Sequence, residues 1–186
     1  MTVSSNVNTT AQTLNRYIAQ LAEGEPDWHL YRLLLQYGVL RQSSKLPKDV
    51  ARGVDGYCFA NCQSALAKLE RKEPGQYRYA EGFAASADAL NVPIHHAWLV
   101  DMQGRIVDCT WGHSPNTAYI GFTFATPLVL SRDVSELGIP LFQNRSVRDA
   151  YFSHPRRRRP PSSVLIKELA GLTKTVRPEC SKCLAP

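Results

Sequence analysis

Three side chains in the sequence could together make and break an acyl bond: the thiol of Cys58, the imidazole of His96 and the carboxylate of Asp108. In such a set the thiolate attacks a carbonyl, the imidazole carries the proton, and the carboxylate fixes the imidazole tautomer. Cys58 lies in the segment GYCFANC, at the start of a run that reads as a helix from about Tyr57 to Lys72. Phe59, Leu66 and Leu69 fall on roughly one side of it, and Pro74-Gly75 stops it. The thiol is therefore expected in the first helical turn, where unpaired amides and the helix dipole favour negative charge. Cys62 stands one turn deeper on the same face. The dipole fades within the first turn, so Cys58 is the expected nucleophile and Cys62 a packing residue.

The base and its orienting acid come from one expected hairpin, HHAWLVDMQGRIVDCTW. Asp101-Met102-Gln103-Gly104 has Asp at the first and Gly at the last position of a type I turn. With Gly104 in a left-handed bulge, the loop has three residues and Asp101 pairs with Arg105. Trp98 then falls opposite Asp108 and His96 opposite Thr110, which makes His96 and Asp108 diagonal neighbours on one face. A two-residue loop would put them on opposite faces. In this register Trp98 shares the face of His96 and shields the His–Asp bond, Trp111 points to the other face as core, and His95, also on the other face, reads as an edge or surface histidine at least as readily as a residue with a part in catalysis.

The elements that must position these groups follow from periodicity. Residues 1–10 are polar and expected to be flexible. Leu14, Ile18 and Leu21 recur at helical spacing between Ala11 and Ala22, and Gly24 ends that run. A second helix carries Leu30, Leu33, Leu34 and Tyr37. Residues 41–55 read as a polar loop. Beyond the Cys58 helix, Tyr77–Ala85, Ile94–Asp101, Arg105–Thr110 and Ala118–Leu130 are rich in aromatic and β-branched residues and read as strands of an antiparallel sheet. Short helices are expected at Ser131–Leu137 and Ser146–Phe152. Helices first and strands afterwards predict an α+β domain over residues 11–152, followed by a basic, Pro-rich tail over 153–186.

A cysteine opening a helix, then "HAW" on a strand, then "D-x-TW" on the next, resembles the transglutaminase-like branch of the papain-like enzymes. The resemblance covers about residues 53–125 and carries the catalytic roles onto Cys58, His96 and Asp108, with Ala97-Trp98 and Thr110-Trp111 as flanks. "GYC" and "VD" in the same order are also similar to the arylamine N-acetyltransferases, relatives of that fold. The resemblance implies a papain-like core with N-terminal helices packed on an antiparallel sheet. Tyr57, Trp98 and Gln42 are the residues expected against a substrate. For the oxyanion, the backbone amide of Cys58 is preferred to Gln42 as donor. Cys109 stands where the pattern often has Pro.

Composition narrows the setting. Hydrophobic residues make up 44% of the 186 and charged residues 20%, enough for a packed core. No apolar run is long enough to span a bilayer, and the N-terminus does not read as a secretory signal. An odd five cysteines without a disulfide framework suit a reducing, cytoplasmic setting. Cys180 and Cys183 form a single CxxC without a second pair, so no metal is expected. The net charge of +6 owes much to Arg156, Arg157, Arg158 and Arg159, which read as a solvated segment or as a contact to nucleic acid or an acidic protein. The expected activity is cofactor-free acyl transfer to water or an amine, with a protease or amidase favoured over a transferase. The alternative is a catalytically unused scaffold that binds through its basic C-terminal segment.

Overall fold

The computed structural model describes residues 3–25, 29–48, 50–131, 138–144 and residue 147. The expected tail, with Arg156–Arg159 and Cys180/Cys183, lies outside them, as do most of the two short helices expected at 131–137 and 146–152.

The first two helices form as their apolar spacing dictates. Helix α1 spans Val3–Gly24, so it begins eight residues before the expected start at Ala11. Its packed row is Thr10, Ala11, Leu14, Ile18 and Ala22, with Leu14 and Ile18 fully buried. The row thus reaches upstream of the apolar run through a threonine that the hydrophobic pattern does not count. Helix α2, His29–Tyr37, buries Leu30, Tyr31 and Leu34 and packs on α1. Each aliphatic side chain removed from water in this way contributes about 1.5–3 kcal/mol.

Strand β1, Val39–Ser44, stands where a loop was expected. Its polar half, Arg41 to Ser44, hides the strand from pattern reading, because β1 is defined by pairing on both edges. Leu40 opposes Ile120 in an antiparallel ladder, and Ser43 opposes Ile106 in a parallel one.

Helix α3 runs Cys58–Lys72 and buries Cys58, Cys62, Gln63, Leu66 and Leu69. Strands β2 (Tyr77–Ser86), β3 (Ala89–Asp101), β4 (Ile106–Val107) and β5 (Thr117–Phe124) follow. The five strands curl into a closed barrel in the order β1-β4-β3-β2-β5. The antiparallel expectation holds for every pairing but β1–β4. The expected strand over 118–130 stops at Phe124. Pro127 then starts the short helix α4, Thr126–Leu130, which suits a residue with fixed φ and no amide proton.

Over β2, β5 and the second half of β3 the sheet is buried on both faces, so these stretches lack a polar side. Tyr79, Phe83, Leu99, Ile120, Phe122 and Phe124 belong to the main core with the helices. Ala80, Ala84, Trp98, Val100, Ile106 and Tyr119 form a second cluster on the barrel interior. Gly82 and Gly121 face each other across β2 and β5. A Cβ on Gly121 would sit 2.7 Å from the Trp98 indole, so this glycine makes room for that ring. On the outer face, the fully buried Glu81 accepts the Tyr79 hydroxyl at 2.5 Å. It also accepts the amides of Leu141 and Phe142 at 2.6 and 3.1 Å. Those bonds anchor the 3-10 turn Leu141–Gln143 to the sheet. Among the described residues, no helix is long and apolar enough to cross a membrane.

Candidate active site

The β3–β4 hairpin has the register read from its turn. The Gly104 amide donates to the Asp101 carbonyl at 2.9 Å, and Gly104 has φ +77°. Asp101 pairs with Arg105, Val100 with Ile106 and Leu99 with Val107. The Asp101 carboxylate reinforces the turn by accepting the amides of Gln103 and Arg105 at 3.0 and 2.8 Å. This register brings His96 and Asp108 together: His96 Nε2 donates to Asp108 Oδ2 at 2.8 Å. Both side chains are buried, 1% and 0% exposed.

The ladder ends at Val107, three residues short of the expected Thr110. Asp108 begins a turn instead. Its Oδ1 accepts the amides of Thr110 and Trp111 at 2.8 and 2.9 Å, and its carbonyl accepts the Gly112 amide at 3.2 Å. Strand alternation therefore no longer applies after Val107. Trp111, expected on the opposite face as core, folds back and stacks on the His96 ring, with centroids 4.2 Å apart and planes 18° apart. It is only half-buried, so part of the indole lies at the surface beside the imidazole.

Cys58 is the first residue of α3, with Tyr57 at the N-cap position. The first bond of the helix runs from the Asn61 amide to the Tyr57 carbonyl, so the amides of residues 58–60 have no intrahelical acceptor. The thiol is 7% exposed and lies close enough to His96 to act on the charge of its ring. His96 Nε2 serves Asp108, so Nδ1 is the ring nitrogen not engaged by the carboxylate.

The loop ahead of Cys58 is fastened to the Asp108 turn at several points. The Gly53 amide donates to the Cys109 carbonyl at 2.7 Å, and Arg52 Nε donates to the Thr110 carbonyl at 2.6 Å. Asn61 Nδ2 reaches the Val54 carbonyl at 2.8 Å and Thr110 Oγ1 at 2.9 Å. Asn61 thus links the helix, the loop before it and the acid-bearing turn with one amide group.

The electrostatics follow from this geometry. Burial opposes charge on His96, but the hydrogen bond to Asp108 and the nearby Cys58 outweigh that and raise it from 6.5 to about 9. Burial likewise opposes the Asp108 carboxylate. The hydrogen bonds from His96, the Thr110 amide and Tyr119, with the imidazolium charge, hold it below the usual carboxylate range. Cys62 is fully buried and donates to the Ala97 carbonyl at 3.3 Å. Burial pushes its thiol well up, with a contact to the Cys109 thiol adding to the effect.

Of the residues expected against a substrate, Tyr57 is 64% exposed beside the nucleophile. Trp98 shares the His96 face as expected, with ring centroids 6.3 Å apart. At 2% exposure, however, its indole lines the barrel interior behind the imidazole and offers no open surface, because the barrel closes around it. Gln42 lies on β1 with its backbone paired to Ala118. His95, expected at an edge or surface, is ringed by aromatics. It stacks on Phe142 at 5.4 Å and meets Phe59 and Phe83 at 4.9 and 5.7 Å.

Three site residues escaped sequence reading: Trp111 on the imidazole, Asn61 in the clamp, and Tyr119. The Tyr119 hydroxyl donates to Asp108 Oδ2 at 2.8 Å from the opposite wall of the barrel. Asn61 had a signal, one turn after the nucleophile in GYCFANC; Tyr119 had none without the β2–β5 register. A thiol, an imidazole with two different partners and a fixed carboxylate can store and move one proton beside a sulfur nucleophile. No family model, curated protein or solved structure matches the chain.

Proposed function

We propose that the chain is a thiol-dependent acyl-transfer enzyme, a cysteine hydrolase acting on amide or peptide bonds, built on the papain-like, transglutaminase-like plan. One observation carries the reading: the buried His96 imidazole is bonded to the Asp108 carboxylate at 2.8 Å and has the thiol of Cys58, at the start of α3, near enough to act on its charge. A buried imidazolium needs a fixed counter-charge, and a histidine held by a carboxylate beside a thiol is placed to take and return that thiol's proton.

In this reading Cys58 gives its proton to His96 and attacks the substrate carbonyl. The new S–C bond forms as the C=O π pair moves onto oxygen. The amide of Cys58, in the unpaired first turn of α3, faces that oxyanion. The intermediate collapses with loss of the amine, which leaves with the proton held by His96. Water then attacks the thioester while His96 takes its proton, and the acid product departs as the thiol is restored. Asp108 remains ionised throughout and keeps the ring in one orientation. Tyr57 and the surface part of Trp111 are the flanks available to a substrate.

The test uses a short peptidyl vinyl sulfone, an electrophile that traps hydrolase thiols. The wild-type protein should take one label, on Cys58. Cys58→Ala should take none, and His96→Ala should label much more slowly. Labelling spread evenly over the five cysteines, or none at all, would overturn the reading.

A further inference from the structure

We propose that Tyr119 is a positioning residue of this site: its hydroxyl, reaching Asp108 from inside the barrel, takes a share of the carboxylate's charge and so limits how tightly Asp108 holds the His96 imidazolium. This rests on the reading of Cys58, His96 and Asp108 as a catalytic set and deepens it.

The argument starts from the acceptor. Asp108 Oδ1 is occupied by two amides of its own turn, Thr110 and Trp111. Oδ2 receives two donors at the same distance, His96 Nε2 and the Tyr119 hydroxyl, each at 2.8 Å. A carboxylate oxygen that accepts two bonds divides its negative charge between them, so the neutral donor weakens the charged one. The orientation of the carboxylate does not depend on Tyr119, since the turn amides fix it. What Tyr119 adds is a dipole whose positive end points at Oδ2 and, past it, at the imidazole.

The phenol is suited to that role. It is fully buried, and its ring packs edge-on against Trp98 with centroids 5.1 Å apart. Burial, then Asp108, push its own ionisation far above the ordinary value, so it remains a neutral donor. On β5 it stands opposite Ala84 of β2 and Arg41 of β1, but the Arg41 guanidinium is engaged with the Gly104 carbonyl at the hairpin. The titratable groups around the imidazole are Cys58 and Cys62 from α3, His95 from β3, Asp108 and Cys109 from the turn, and Tyr119. Tyr119 is the one that can adjust Asp108 without carrying charge itself.

The chemistry gives this a purpose. His96 must hold a proton long enough to store the thiolate, then surrender it to the departing amine. An unshared buried carboxylate holds the imidazolium too firmly for the second task.

The experiment is an NMR titration of the His96 ring in the full chain, wild type against Tyr119→Phe. Tyr119→Phe keeps the ring against Trp98 and removes only the donor. The midpoint should move upward from the wild-type value. An unchanged midpoint would show that Tyr119 only packs. A fall toward 6.5 would show that it merely holds the carboxylate in place; either result overturns the proposal. Should the Phe variant fail to fold, 3-fluorotyrosine placed at position 119 gives the opposite sign. Its more acidic hydroxyl is a stronger donor, so the midpoint should fall, and an unchanged value would again overturn the proposal. Iodoacetamide labelling of Cys58 in the same samples separates the two levels. A Cys58 that reacts no faster than the other thiols defeats the catalytic reading, whatever the titration shows.

Discussion

His95 and His96 are neighbours in the chain, stand on opposite faces of β3, and are driven in opposite directions. Burial works against the charge on His96, but Asp108, with Cys58 nearby, raises it to about 9. His95 is lowered to about 4, by burial first and by the charge of His96 second. Glu81 approaches His95 Nε2 to 3.8 Å, but its carboxylate is committed to the Leu141 and Phe142 amides and the Tyr79 hydroxyl. It therefore does little to retain a proton on His95.

The pair predicts how histidine titration shapes folding stability. His96 stabilises the fold most below pH 6.5, and that contribution is lost as pH rises from 6.5 to about 9. Its displacement corresponds to about 3 kcal/mol. His95 works the other way: the unfolded chain takes up a proton near pH 6.5 while the native one waits until about 4, so stability is lost as pH falls through that window. The two contributions together peak near pH 6.5. His95→Phe preserves the stack on Phe142 and removes the acid limb. Urea unfolding from pH 4 to 9 should give a wild-type-minus-variant difference in stability that is flat above about 6.5 and falls steadily toward pH 4. A difference independent of pH would refute the assignment.

Thiol reactivity is the next prediction. Cys58 should react with iodoacetamide faster than Cys62 and Cys109, which are buried beneath it. His96→Ala should slow Cys58 on the order of tenfold or more, since the imidazolium partner is lost. Asp108→Asn should leave part of the reactivity and cost more in turnover, because the ring loses its fixed tautomer. Cys62→Ala should leave the Cys58 rate intact and cost about 2 kcal/mol or less in stability, as a buried side chain shrinks. Peptide mapping by mass spectrometry after timed labelling reads the wild type and all three variants. A Cys58 rate indifferent to His96 would separate the two residues.

What the sequence made legible was local. The turn signature at Asp101–Gly104 set the hairpin register, and with it the meeting of His96 and Asp108, because a β-turn and its bulge are written in four adjacent residues. The Cys58 helix start was legible for the same reason. What stayed hidden depended on distant partners. Arg41-Gln42-Ser43-Ser44 looks like a loop and becomes a strand only because β4 and β5 offer two edges. Trp111 was assigned to the wrong face because the Asp108 side chain breaks the strand after Val107, and alternation was carried past that point. Trp98 reads as a substrate contact until the barrel closes over it. Tyr119 could be placed against Asp108 only once β5 was known to pair with β2 and β1.

Gly121 offers a packing test of the barrel interior. A methyl group there would approach Trp98 Cη2 to 2.7 Å and Cζ2 to 2.8 Å, and would also meet the Glu81 carbonyl. The Glu81 carbonyl is the nearest of these atoms, so the β2–β5 pairing must give locally as well as the enclosed ring. Gly121→Ala should cost about 1–3 kcal/mol, the range for overpacking a filled interior. Trp98 backs the His96 ring, so the near-ultraviolet circular dichroism of the indoles should change and Cys58 labelling should slow. A variant with wild-type stability and unchanged spectra would mean that the barrel is not packed around Trp98 as described.

Asn61 gives the last prediction, because it separates holding the fold from holding the site. Its amide donates to the Val54 carbonyl and to Thr110 Oγ1, tying the loop ahead of Cys58 to the turn that carries Asp108. Gly53 lies so close that a Cβ there would collide with the Asn61 side chain, so loop and amide are fitted to each other. Two ordinary hydrogen bonds are worth about 1–3 kcal/mol together, so Asn61→Ala should remain folded with a modestly lower urea midpoint. Arg52 and Gly53 still tether the loop through the Thr110 and Cys109 carbonyls, but the link from the helix itself is gone. The Cys58 thiol should then drift relative to the imidazole, and displacements of about 1 Å can cost on the order of a hundredfold in rate. Vinyl sulfone labelling should therefore fall far more than stability does. Asn61→Asp, which keeps the shape and loses the donor, should behave like the alanine variant. If both variants label at the wild-type rate, the clamp is structural only, and the placing of Cys58 belongs to the helix and the Arg52–Gly53 tethers.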